Sequence, residues 1–257
     1  SEGYWQLALS CKGIGKACEE LNTPVTGGNV SLYNETRNSD DFITPIQPTP
    51  VIGMVGLIPD LNNICGMGFI QEGDLIWTLG TSSLNKEDFN EYITLSATTY
   101  LESIHGLVTG RPPKINLNAE FLVQSFLREQ IHKKHINSAH DITEGGLAIA
   151  LAECCLATNL GATINLLDTD ERTDRILFGE GGGRILITVS SQNLASFKSC
   201  IQNFNDKNDQ CLKSTPIGFV NTTKNLKINQ EENNFVDLSV KTLHQTFHNA
   251  IPRRVAQ

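Results

Sequence analysis

The segment Ile136–Leu166, INSAHDITEGGLAIALAECCLATNLGATINL, constrains the fold more than any other part of this 257-residue chain. It reads as a short strand running into His140-Asp141, a helix from about Thr143 to Thr158 with Thr143 as its cap, and a strand from Ala162 to Leu166. A strand, a turn, an almost uncharged helix and a second strand can bury their apolar surface only as a sheet with a helix laid on it. The remaining chain repeats the alternation. Leu75–Leu79, Arg184–Val189, Pro216–Val220 and Phe235–Leu238 read as strands. Leu95–Ile104, Ala119–Lys133 with Asn118 as cap, Asn193–Asn203 and Val240–Ala250 read as helices, with Pro112-Pro113 preventing continuation of the first. The expected class is therefore α/β (α+β).

The first seventy residues have a different character. Residues from about Glu2 to Leu21 form an amphipathic helix with Trp5, Leu7, Leu9, Ile14 and Ala17 at the apolar positions, ending at Asn22 before Thr23-Pro24. A strand or loop follows through TPVTGGNVSLYNET, Thr23–Thr36. TRNSDDFITPIQ is polar and turn-rich, as an exposed excursion is. TPVIGMVGLI, Thr49–Ile58, reads as a buried strand closed by Pro59-Asp60. The turn at Glu72-Gly73-Asp74 opens a new unit, so a domain boundary is expected within Cys65–Gln71. The chain lacks an initiator Met and opens directly on a helix leading into a motif, so a fragment is expected.

Charge and composition exclude several classes of function. The formal net charge is −8, from 20 Lys and Arg against 28 Asp and Glu. Without a basic stripe, nucleic acid is not an expected partner. No apolar run approaches a membrane span, and the N-terminus lacks the pattern of a secretory leader. Seven cysteines without metal-type spacing fit free thiols in a reducing compartment, the cytoplasm or an organelle stroma or matrix, and the cytoplasm is expected.

Three stretches carry candidate chemistry. In TPVTGGNVSLYNET, glycine at Gly28 lets a backbone N–H approach a phosphate oxygen where a Cβ would clash. Asn29 offers Mg²⁺ a neutral carbonyl oxygen, and Ser31 lies on the same face of a regular strand. A β-bulge flanked by turn-forming residues accounts for the same letters. In SAHDITEGGLAIALAE, Asp141 and the first helical N–H groups share one mouth, the geometry of a metal-bridged phosphate; a tightly packed helix start accounts for it equally. In LFGEGGGRILITVS, Glu180 and Gly181–Gly183 precede Arg184. That loop is either an anion grip or a flexible approach to a hairpin, and the hairpin is favoured. His105, His132, His135, His244 and His248 form no catalytic arrangement and read as surface or structural. No Walker loop or dinucleotide fingerprint is present.

GGNVSLYNE with PTPVIGMVG, followed by SAHDITEGGL and LFGEGGGR, resembles in the same order the C-terminal part of the phosphoribosylformylglycinamidine synthase family. The likeness spans nearly the whole chain. It implies the end of a second AIR synthetase-like N-terminal (A) domain over residues 1–68, followed by an AIR synthetase-like C-terminal (B) domain over 69–257. It implies ATP- and glutamine-dependent amidation of formylglycinamide ribonucleotide in purine biosynthesis, with ATP and Mg²⁺ as cofactors. It also implies a glutaminase subunit, a small accessory subunit and the N-terminal half of the same enzyme as partners. By the same resemblance Gly28 contacts ATP through its backbone, Asn29 ligates Mg²⁺ and Ser31 touches the ribonucleotide. Asp141 is a weaker candidate, its counterpart in the duplicated half serving a structural nucleotide site. The family's Ser-Glu-Ser-Gln-like loop is replaced here by Gly179-Glu180-Gly181-Gly182-Gly183. Because the catalytic histidines and most metal carboxylates belong to the first half, the chain alone is expected to lack synthase activity. A non-catalytic nucleotide-binding scaffold and a small-molecule kinase of the superfamily are the alternatives.

Overall fold

The computed structural model describes residues 2–29, 35–40, 42–45, 49–80, 91–208 and 212–255. The chain separates into two compact units, Ser1–Pro59 and Asp60–Gln257.

The first unit holds helix α1 (Glu2–Glu20) and a hairpin of β1 (Glu35–Arg37) and β2 (Ile43–Pro45), antiparallel with Glu35 opposite Pro45. The helix matches the expected span to within a residue, and the polar excursion is a small exposed hairpin. Thr23–Asn29 takes the loop alternative of the expected strand or loop. One expectation fails: residues 49–58 form no strand, and their apolar side chains are exposed, Val51 by 90% and Leu57 by 89%. A strand needs neighbours to take its N–H and C=O groups. Among the described residues none pairs with either segment.

The second unit is built on a seven-stranded sheet, order β4-β6-β3-β7-β5-β8-β9. Its strands are β3 (Leu75–Gly80), β4 (Ser138–Asp141), β5 (Gly161–Leu166), β6 (Arg184–Val189), β7 (Ser214–Asn221), β8 (Asn225–Gln230) and β9 (Asn233–Ser239). All neighbours are antiparallel except β5 and β8. The helices are α2 (Thr99–His105), α3 (Leu117–His132), α4 (Gly146–Thr158), α5 (Thr173–Phe178), α6 (Leu194–Asn205), α7 (Val240–His248) and α8 (Ala250–Val255).

Both faces of the sheet are covered. Alternate side chains of β3 and β6 enter different cores, as the two-residue period of a strand requires. Ile76 and Leu186 pack with Leu147, Leu151, Cys154 and Cys155 of α4 and with Ile176 and Leu177 of α5. Trp77, Leu79, Ile185 and Ile187 pack with Val123 and Phe126 of α3 and with Phe197 and Ile201 of α6. Every residue of β6 is buried. That explains its apolar run after Arg184, broken only by Thr188, whose hydroxyl pairs with that of Ser138 at 2.7 Å.

Local chemistry shifts several element boundaries. Helix α4 starts at Gly146, not Thr143, because Gly145 adopts a left-handed conformation (φ 77°) and makes no side-chain cap. Asn116, rather than Asn118, caps α3 by accepting from the Ala119 N–H at 3.1 Å. Helix α2 is shorter than Leu95–Ile104. Ala97 sits at φ 56° and Thr98 Oγ1 accepts from the Leu101 N–H, fixing the start at Thr99. Strand β8 went unread because NLKINQ carries only two apolar side chains, Leu226 and Ile228, both buried.

Candidate functional site

The glycine-pair segment is open. Thr23 is tied back to α1, its N–H donating to the Cys18 carbonyl at 2.9 Å and its hydroxyl to the Leu21 carbonyl at 3.1 Å. Beyond it, Gly27, Gly28 and Asn29 are exposed. No described heavy atom lies within 4 Å of the point where a Cβ on Gly28 would stand. The described residues form no ladder in which the pair could be a bulge, and no packing contact there requires glycine. Gly28 and Asn29 are therefore exposed, with no described atom crowding the glycine. Ser31, the third residue of the expected set, lies outside the described residues.

The mouth between β4 and α4 is organised by hydrogen bonds within the chain. Asp141 is exposed, accepts from the Thr143 hydroxyl at 3.1 Å, and stands 3.2 Å from Nδ1 of His140. His140 faces Glu153 of α4 with its other nitrogen, at 2.9 Å. The imidazole thus clasps strand to helix. Among the described residues, no group of three or more His, Cys, Asp and Glu side chains is arranged to hold a metal ion.

The loop before β6 is a packed junction. It is not a hairpin. Glu180 makes a backbone bridge with Thr94, each N–H donating to the other's carbonyl at 3.0 Å. Its carboxylate oxygen Oε1 accepts from the Thr99 N–H at 2.9 Å and from the Gly145 N–H at 2.8 Å. One side chain thereby satisfies the starts of both α2 and α4. A Cβ on Gly181 would lie 1.9 Å from the Tyr92 carbonyl oxygen, so glycine is required there by contact. On Gly182 it would lie 2.3 Å from Oε1 of Glu120. The Glu120 carboxyl, on α3, faces the Gly183 N–H and the Gln124 amide, while burial raises it above the ordinary glutamate range. The Thr99, Gly145 and Gly183 N–H groups, which an external anion would use, are thus met by the chain's own carboxylates. These roles of Glu120 and Glu180 are not legible in the sequence, because Gly183, Thr99 and Gly145 stand tens of residues from the carboxylates that meet them.

Arg184 is buried at the head of β6, its Nη1 donating to the Gly179 carbonyl at 2.9 Å. Desolvation pushes its guanidinium down to about 10, which leaves it charged at neutral pH. The six described cysteines are free thiols, and Cys211 lies outside the described residues. Burial raises both Cys154 and Cys155, the latter to about 12. Neither is a thiolate nucleophile at neutral pH.

Comparison with known proteins places this architecture. Over 253 residues the chain is 50% identical to the phosphoribosylformylglycinamidine synthase subunit PurL of Prochlorococcus marinus strain MIT 9303, covering 98% of this chain and 32% of that protein. To the PurL subunit of Nostoc sp. PCC 7120 it is 47% identical over 259 residues, covering 99% and 31%. The chain spans about a third of the length of the curated relatives it matches. Among solved structures, Thermotoga maritima PurL complexed with FGAR aligns with a TM-score of 0.61 at 15% identity, over 90% of this chain and 36% of that one. Thermotoga maritima phosphoribosylformylglycinamidine synthase II aligns with a TM-score of 0.54 at 16% identity, over 72% and 28%. At those identities the likeness is one of fold. Residues 71–209 match the model of the AIR synthase related protein, C-terminal domain, so the chain belongs to the AIR synthase related family.

Proposed function

We propose that this chain is part of a phosphoribosylformylglycinamidine synthase, an ATP-dependent ligase that amidates formylglycinamide ribonucleotide in purine biosynthesis in the cytoplasm. The single observation that carries the reading is the 50% identity to a PurL subunit over 98% of this chain. In this reading residues 1–68 end the second A domain and residues 69–257 are the second B domain.

The Gly28 N–H meets a phosphate oxygen of ATP, Asn29 supplies an oxygen ligand to Mg²⁺, and Ser31 donates to the ribonucleotide. The exposed Asn29 fits that role in part. A neutral amide oxygen is the ligand type that Mg²⁺ takes, but one such oxygen does not make a site. Bound there, the ion would neutralise phosphate charge, which with positioning is most of what phosphoryl transfer requires. The remaining ligands come from nucleotide phosphates, water and the missing half of the enzyme, which together with a glutaminase subunit and a small accessory subunit completes the assembly. The unpaired apolar run at residues 49–58 fits a strand that finds its neighbours in that missing half.

A second reading, a non-catalytic nucleotide-binding scaffold, is favoured for the second unit by one observation. The Glu120 carboxyl already faces the Gly183 N–H and Glu180 already accepts from the Thr99 and Gly145 N–H groups, so these amides are not free for a reacting phosphate. Asp141 is then a contact to a structural nucleotide and takes no part in the reaction.

The test is calorimetric titration of the purified chain with Mg-ATP and with the ribonucleotide, beside an ammonia-dependent turnover assay. Ribonucleotide binding that weakens at least tenfold in Ser31→Ala supports the active-site reading. Nucleotide binding that weakens only in Asp141→Ala supports the scaffold. Turnover is expected only when the rest of a PurL polypeptide is added back; turnover by this chain alone overturns the assignment as a half-enzyme.

A further inference from the structure

Two of the six histidines are arranged differently from the others. His140 has both ring nitrogens facing carboxylates, at 3.2 and 2.9 Å. His135 meets the Gln130 amide oxygen at 2.8 Å, and His105 stands edge-on to Tyr100. His244 and His248 instead face each other. They lie one turn apart on the same side of α7, exposed, with ring centres 4.0 Å apart and planes tilted by 40°. Two solvated imidazoles gain little from touching. The edge of the Phe247 ring contact, centroids 5.3 Å apart, buttresses His248 from one side.

We propose that His244 and His248 form a two-histidine chelating site for a late first-row divalent ion, of the class Cu²⁺, Ni²⁺ or Zn²⁺. Neutral imidazole nitrogen is the ligand these ions share. With metal–nitrogen bonds of about 2.0–2.1 Å, two imidazole ligands have ring centres roughly 4.5 Å apart at a right angle and roughly 5.2 Å apart at the tetrahedral angle. The pair therefore reaches chelating geometry by opening about half an ångström for a square-planar ion and about one ångström for a tetrahedral one. The described residues supply no third ligand to this pair, so water fills the remaining positions. Such an ion bridges successive turns at the C-terminal end of α7.

The test is titration of the tag-free chain with Ni²⁺, Zn²⁺ and Cu²⁺ salts, followed by calorimetry and by thermal unfolding. One ion is expected to bind per chain, Cu²⁺ most tightly as the general affinity order dictates. Affinity should fall at least tenfold in His244→Ala and in His248→Ala, and stay unchanged in His132→Ala. Both side chains are exposed, so the variants should keep the wild-type circular dichroism. The metal should raise the unfolding temperature of the wild type and leave that of the double variant unmoved. Equal affinity in wild type and either single variant, or no binding by the wild type at millimolar metal, overturns the site.

Discussion

The two units of this chain use similar residues to opposite ends. Residues 1–59 carry the glycine pair, an amphipathic helix and a β-branched run, yet none of their described side chains is buried. Residues 60–257 carry two cores, one on each face of a seven-stranded sheet. Glycine shows the contrast most directly. Gly28 stands in open space, where its backbone N–H can approach a ligand, whereas Gly181 is wedged against the Tyr92 carbonyl. The same residue type marks access in one unit and tight packing in the other. Which one applies depends on neighbours that local sequence does not name.

The largest expected effect separates the units by burial. Leu151→Ala empties a fully buried position on α4 and should cost about 2–5 kcal/mol in urea unfolding. Val55→Ala removes comparable apolar surface from an exposed position and should stay within about 0.5 kcal/mol. A large loss from Val55→Ala would show that residues 49–58 are buried within this chain after all. Next comes the glycine contrast. Gly181→Ala should cost about 1–3 kcal/mol by forcing Tyr92 and the Thr94–Glu180 bridge apart. Gly28→Ala should leave stability within about 0.5 kcal/mol. Equal costs would erase the distinction between the two glycines.

The smallest effect concerns charge. Burial raises the Glu120 carboxyl, so folding favours its protonated form. That contribution is fully present below the unfolded glutamate value of about 4.3 and is lost as pH rises through the raised folded value. Wild type should therefore lose stability relative to Glu120→Gln between pH 4 and neutrality. A difference that does not change with pH would mean that the Gly183 and Gln124 contacts fully offset the burial of the charge.

Much of the second unit was legible from letters alone. Strands β3 and β6 declare themselves as short apolar runs, and α4 as a thirteen-residue stretch with one charged side chain. Periodicity works there because burial on both faces of a sheet enforces it. The failures have specific causes. Strand β8 exposes alternate polar residues and shows only Leu226 and Ile228 to the core, too few to stand out. The start of α4 was misplaced because a left-handed glycine, not the expected threonine hydroxyl, sets it. Residues 49–58 have the composition of a strand, but a strand exists only with partners.

The sequence by itself determined the alternation of strand and helix, the exposed polar hairpin and the family, because hydrophobic period, turn chemistry and motif order are local properties. Its readings at Gly28, Asn29, Ser31 and Asp141 stand as assignments of chemical type, open to the titrations above. Only the tertiary structure decided that Glu180 fastens the starts of α2 and α4 and that Glu120 faces the glycine loop. Each of these depends on a distance between a side chain and a backbone N–H. Folding sets that distance, and residue type and spacing only permit it.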